Sequence, residues 1–277
     1  MIRLFLIEWI KLRRYRAFYI LTGLYFVVVG FVLSGGNIFL NYLSNQMNKG
    51  VKLAGIDPKL LPVYEFPDIW HNITYVAVKL KIILAFIVII SLTNEITYKT
   101  FRQNIIDGLN RAEFMFSKIS MIFVLALANT ILVFLIGLVN GLICSHNHSI
   151  MAIFSDMQFL GAFFLDVFVY LIFAFLIGLL IKRTGIAIVF LGIYAIFLEP
   201  IITLIFTEVQ KLPVIFSQIA PFFPIKAIRD VISNPFPKYI FQEYQDYIAF
   251  SNVAIISCQM FIYLGFIYML LKWRNNT

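Results

Sequence analysis

Residues 119–143 read ISMIFVLALANTILVFLIGLVNGLI, twenty-five positions without one charged side chain. A helix rises about 1.5 Å per residue, so roughly 20 apolar residues cross the hydrocarbon core of a bilayer. Five further runs of similar length lie near residues 17–34, 70–92, 159–181, 186–206 and 251–271. Inside hydrocarbon the backbone must satisfy its own hydrogen bonds, which leaves helices and closed barrels as spanning structures. Runs this continuous suit helices and lack the alternation of barrel strands. The fold class is therefore all-α: a polytopic membrane protein with six transmembrane helices in a single transmembrane domain, 1–277.

Composition agrees. The chain is 61% hydrophobic and 13% charged, with a mean hydropathy of +0.91, whereas soluble domains carry about 25% charge. A formal charge of +8 would point to nucleic acid in a soluble protein, but here its distribution is topological. Thirteen cations fall in alternate connections: Arg3, Lys11, Arg13, Arg14 and Arg16; Lys99, Arg102, Arg111 and Lys118; Lys182 and Arg183; Lys272 and Arg274. The other side has seven, offset there by eight acids. The positive-inside rule makes both termini cytoplasmic, and nothing calls for nucleic acid. Cys144 and Cys258 fall in or at the edge of spans and read as inert buried thiols rather than a disulfide. The N-terminus, which lacks a small-residue cleavage site, reads as a retained span. Asn-x-Thr/Ser matches occur on the outer side at Asn72 and Asn147.

Immediately before the quoted run stands its opposite, residues 93–118, TNEITYKTFRQNIIDGLNRAEFMFSK. Thr100-Phe-Arg-Gln103 has the spacing of a capping box, in which a hydroxyl and an amide satisfy free backbone donors at a helix start. Gly108 supplies a left-handed helix stop. Between them a two-turn helix carries Phe101, Ile105 and Ile106 with polar Arg102, Gln103, Asn104 and Asp107. Asn110-Arg-Ala-Glu113 offers a second cap, so the next helix restarts near residue 111. A stop and restart this close make an elbow that presents the short helix to the cytosol; an ordinary interfacial turn has the same pattern.

Farther out, residues 1–16 place Ile2, Phe5, Leu6, Trp9 and Leu12 on one helical face and Arg3, Glu8, Lys11 and Arg14 on the other. That spacing describes an interfacial amphipathic helix touching membrane lipid, with Trp9 at headgroup depth. A plain basic anchor is the alternative. Residues 36–69 form an outer loop closing on YEFPDIWHN, whose Tyr64 and Trp70 suit the outer aromatic belt. Residues 207–250 form a second outer loop, apolar enough to predict short interfacial or re-entrant helices broken at Pro213, Pro221 and Pro224. Irregular backbone at that depth needs protein or a wet cavity around it. A hydrophobic lid with no transport role is the other reading.

The string Glu95, Thr100, Arg102, Gln103, Asn104, Asp107, Gly108, Leu109, Arg111, Glu113, Phe114 and Lys118 resembles the segment after the second span of bacterial type-2 ATP-binding-cassette (ABC) transporter permeases. The basic amphipathic start, the six spans, FPDIWHN and the apolar last outer loop are similar to that family as well. The resemblance implies a bacterial plasma-membrane exporter in which two permease subunits, identical or paralogous, pair with two cytosolic ABC ATPase subunits. It implies that 93–118 is a cytoplasmic coupling segment. Thr100, Phe101, Arg102, Gln103, Asn104, Asp107, Gly108 and Arg111 would dock the ATPase, with the N-terminal helix bordering the contact. ATP and Mg would be bound by the partner, so no cofactor is expected in this chain and no catalytic or metal-binding residue is assigned to it. The substrate is open within the lipids, glycans, peptides and drugs of that family.

Four ionisable groups lie inside predicted spans: Lys79 and Lys81 in the second, Asp166 in the fourth and Glu199 in the fifth. Such groups are costly in hydrocarbon and face a partner or a wet cavity. Either Lys79 or Lys81 pairs with Asp166 or Glu199, or the lysines snorkel from a helix that starts later. Pro200 is expected to kink or break the fifth helix. The sequence holds no Gly-x4-Gly-Lys-Ser/Thr phosphate loop, so energy is expected from another subunit or an ion gradient. His71, His146 and His148 are all predicted on the outer side of the membrane, and His146 with His148 would need further ligands to hold a metal. Two alternatives to the exporter subunit stay open, an ion-coupled secondary transporter and a non-transporting membrane anchor for an ATPase. An intramembrane enzyme is disfavoured, because no catalytic dyad assembles from the residues inside the spans.

Overall fold

Among six helices of comparable hydropathy, burial separates centre from perimeter. The computed structural model describes residues 8–11, 13, 16–47, 63–106, 108–146, 148–208, 213–235, 237 and 247–273; Asp107, Asn147 and the Arg102 side chain lie outside them. The described helices are α1 (Arg16–Met47), α2 (Ile69–Thr97), α3 (Thr100–Ile106), α4 (Arg111–Cys144), α5 (Ile150–Phe154), α6 (Gln158–Ile181) and α7 (Thr184–Ile193). They continue with α8 (Glu199–Glu208), α9 (Val214–Ile219), α10 (Pro224–Arg229) and α11 (Phe250–Trp273). Six stretches are long and apolar enough to cross a membrane, Phe18–Gly36, Ile69–Thr97, Arg111–Cys144, Ile150–Ile181, Thr184–Glu208 and Phe250–Trp273. The chain is thus an all-helical, multi-pass membrane protein, with no strand among the described residues.

The fourth span is 72% buried and the fifth 17%, so α6 is the hub and its neighbours form the rim. α6 packs most extensively along α2, then against α11, α4 and α7. Rim helices turn Phe31, Ile131, Val189 and Phe261 outward, as a lipid-facing surface requires. Because lipid removes the hydrophobic drive between helices, close packing and polar contacts hold the bundle. Gly137 lets the Trp70 ring approach until an added Cβ would lie 2.9 Å from it. Tyr25 donates to Asn129 across 2.7 Å, and the Thr93 and Thr184 hydroxyls meet at 2.7 Å.

In the fifth span the helix opens into one π turn, Tyr194–Leu198, just ahead of Pro200. The Glu199 N–H reaches back to the Tyr194 carbonyl, and Pro200 has no N–H with which to continue an ordinary ladder. The helix is therefore widened rather than broken. Beyond it the prolines set helix starts: Pro213 precedes α9, Pro221 sits in the 3-10 turn Ala220–Phe222, and Pro224 is the first residue of α10.

Several expectations need correction. α1 runs to Met47, so the first long connection begins later than residue 36. Trp70 is fully buried, stacked on Phe134 at 5.5 Å and donating to the Ile153 carbonyl at 2.7 Å; it is a core residue because Gly137 on α4 leaves it room. Tyr64 turns inward as well, donating to the Leu33 carbonyl at 3.0 Å. His71 is buried, with its ring stacked 4.1 Å from Phe159 and its Nε2 2.9 Å from the Ser233 carbonyl. Asn72 is buried and donates to Val63 O, which removes it as a modification site. Cys258 is exposed on α11 and Cys144 only half-buried, so neither is a core thiol.

Candidate functional site

α3 is held between two left-handed residues, Lys99 at φ 57 and Gly108 at φ 94. α2 ends when the Tyr98 and Lys99 amides fold back onto Asn94 O and Ile96 O, and the chain turns into α3. The start is built differently from a capping box. Thr100 is already helical and its hydroxyl donates backward to the Glu95 carbonyl at 3.3 Å, while the Gln103 amide bonds Lys99 O at 3.2 Å. The stop is as the spacing predicts: Gly108 and Leu109 amides close onto Ile105 O and Asn104 O, a conformation that favours glycine. The second cap is also present, with the Asn110 N–H donating to the Glu113 carboxylate at 2.8 Å and α4 beginning at Arg111.

This short helix has an inner and an outer face. Phe101 is buried edge-on against Phe114, ring centres 4.6 Å apart, and fastens α3 to the foot of α4. Gln103 and Ile106 point outward, Ile106 68% exposed. Between α3 and the foot of α2 lies a cleft of about 400 Å³, lined by Lys11, Ser91, Asn94, Tyr98, Gln103 and Asn104. The Asn104 side-chain nitrogen is buried with no hydrogen-bond partner among the described residues. Arg111 reaches the Lys272 carbonyl at 3.3 Å, which ties this corner to the end of α11.

Beneath the cleft sits a charge cluster that the helical-face reading of residues 1–16 did not anticipate. Lys118 donates to Glu8 at 2.6 Å and to Glu95 at 2.7 Å, and Lys11 lies 3.4 Å from each carboxylate. Ser117 donates to Glu8 at 3.3 Å. Glu8, Glu95 and Lys118 are all buried and half-buried Lys11 borders them, so two cations and two carboxylates neutralise one another at the floor of the cleft. Burial pushes the Glu8 carboxyl up, but the Lys118 and Lys11 ammonium groups overcome it and hold the group below its ordinary value. The polar face of the N-terminal turn thus points into the protein, while Trp9 and Ile10 are exposed.

Deeper in the bundle, Lys81 donates to Asp166 in a buried pair joining α2 to α6, with the Lys81 ammonium 4.8 Å over the Tyr170 ring. The second Asp166 oxygen is buried without a partner among the described residues. Among the described residues, Glu199 pairs with no lysine side chain. It is buried and accepts the Lys226 backbone N–H at 2.6 Å, and so satisfies the first turn of α10 from across the connection. Lys79 is exposed, its ammonium 4.4 Å over the Tyr75 ring, and makes no ion pair among the described residues. The expected lysine–carboxylate contact is therefore made by Lys81 with Asp166 alone.

His146 stands 3.8 Å from Glu65 on the surface, and among the described residues no group of three His, Cys, Asp or Glu side chains is placed to hold a metal. No protein-family model matches the chain, and no curated protein matches it.

Proposed function

We propose that this chain is the membrane-spanning subunit of a bacterial ATP-driven exporter of the ABC type. It works in the plasma membrane with both termini in the cytosol, paired with a second permease copy or a paralogue. α3 is its coupling helix, and a separate cytosolic ATPase grips it. The chain has no enzymatic role of its own; ATP and Mg belong to the partner.

One observation supports this above the rest: α3 has an outward face and a rigid root. Gln103 and Ile106 are exposed. Phe101 and the Glu8–Lys118–Glu95 cluster anchor the same corner to α2 and α4. A push on α3 is passed to two spans without being absorbed by a loose loop. Nucleotide-driven closure of the motor then biases the bundle between two states. Co-purification of a phosphate-loop ATPase with the wild-type chain, and its loss in an Arg102→Glu, Asp107→Arg double variant, tests the contact. Retained binding with full ATPase coupling in that variant overturns it.

The buried Lys81–Asp166 pair, with one carboxylate oxygen unpartnered, favours a second reading, an ion-coupled carrier in which this pair takes up and releases a proton. Transport abolished by an uncoupler and indifferent to ATP would select it. A non-transporting anchor for an ATPase would show the same co-purification with no substrate movement.

A further inference from the structure

Two cavities meet at the same pair of cations. The first, about 490 Å³, lies between α2, the turn after α10 and the start of α11, and has a polar lining that includes Asp230, Ser233 and Asn252. The second, about 290 Å³, lies between α2, α6, the π turn and α10, and is lined by Val78, Ile82, Ile196 and Ile225 together with Tyr170 and the Asp166-paired Lys81. Lys79 and Arg229 line both. The two cavities therefore adjoin at these two cations, one with a largely polar lining and the other largely apolar.

The charges there do not balance. Among the described residues, Lys79, Lys81, Lys226 and Arg229 stand against Asp166, Asp230 and Glu199, four cations against three carboxylates. Asp230 is shared between Lys226 at 3.1 Å and Arg229 at 3.7 Å. Glu199 is occupied by the Lys226 backbone N–H, and Asp166 by Lys81. Lys79 meets only the Tyr75 ring among the described residues. It lies ten residues into α2. With that helix centred in a core about 30 Å thick, its Cα is about 9 Å inside the hydrocarbon boundary. An ammonium at that depth with no carboxylate of its own among the described residues draws an anion, and an anion reaching it from the bilayer brings its hydrocarbon along.

We propose that Lys79 and Arg229 bind one anionic phospholipid of the surrounding bilayer. The phosphodiester lies between the two cations, its headgroup in the chamber of Ser233 and Asn252, and an acyl chain runs along Val78, Ile82, Ile196 and Ile225. One phosphodiester supplies the single negative charge that the described residues of the site lack. A zwitterionic lipid brings its own cation and leaves the excess in place; a free phosphate leaves the apolar chamber unfilled. The site stands independently of the proposed transport function.

Native mass spectrometry of the detergent-purified full chain, titrated with phosphatidylglycerol or phosphatidylcholine, tests this. The wild type is expected to retain phosphatidylglycerol over phosphatidylcholine. A Lys79→Ala, Arg229→Ala double variant should retain at least fivefold less phosphatidylglycerol with phosphatidylcholine unchanged. Lys79→Arg, which keeps the charge, should retain it as the wild type does. Equal phosphatidylglycerol retention by wild type and double variant overturns the site, as does equal affinity for the two lipids. A rise in Tm with millimolar inorganic phosphate as large as that with phosphatidylglycerol also overturns it, because the anion alone would then suffice.

Discussion

The Lys118 ammonium lies 2.7 Å from the Glu95 carboxylate, which joins the foot of α4 to the foot of α2 directly behind α3. Glu8 closes the same ammonium from the other side at 2.6 Å. The elbow is therefore braced by charge as well as by the Phe101–Phe114 contact, and the brace lies out of water.

Breaking one member of a buried, mutually neutralised set strands the others, at a cost of about 3–5 kcal/mol. Lys118→Met is expected to lower stability by roughly that amount and to loosen residues 8–11. A lower Tm together with faster hydrogen exchange at those amides in detergent checks it; unchanged exchange at residues 8–11 would mean that Lys118 does not hold them.

Acid should release the same contact. Glu8 is held below its ordinary value of 4.5, so its stabilisation is fully present above about pH 4.5 and is lost as the pH falls through the lowered folded value. Hydrogen exchange at residues 8–11 is expected to stay flat from pH 7 to 5, after correction for intrinsic rates, and to rise below 4.5. In Glu8→Gln the acid-induced rise should vanish.

For Lys81 and Asp166, each single truncation is expected to be worse than the double. Lys81→Met leaves a buried carboxylate and Asp166→Leu leaves a buried ammonium, each destabilising by about 3 kcal/mol or more, whereas the double apolar replacement recovers most of the loss. Thermal unfolding of the four proteins in one detergent measures the coupling; strictly additive losses would show that the contact is not made.

What could be read from residues alone followed the range of the physics. Six apolar runs were legible because the bilayer dictates their length. Gly108 and the Asn110–Glu113 cap were legible because both are settled within four residues of themselves. The charged partners were harder. A helical-face reading turns Glu8 toward water, on the assumption that polar residues seek it. In a membrane-bound bundle they can instead turn inward to one another, as Glu8, Lys118 and Glu95 do. Glu199 was expected to meet a lysine side chain and instead receives a backbone N–H from a helix start 27 residues later, a match no local pattern announces. Trp70, expected at the aromatic belt, is a core residue because Gly137 on another helix leaves the space.

The central claim, that α3 is gripped by a cytosolic ATPase, is tested most directly at Ile106, the exposed apolar end of the helix. A photo-crosslinking amino acid placed there in whole cells should yield a covalent adduct with a phosphate-loop ATPase, with a yield that changes when ATP hydrolysis is blocked, while the same group at lipid-facing Ile131 should yield none. Adducts at Ile106 with lipid alone, and no protein captured, would contradict the claim.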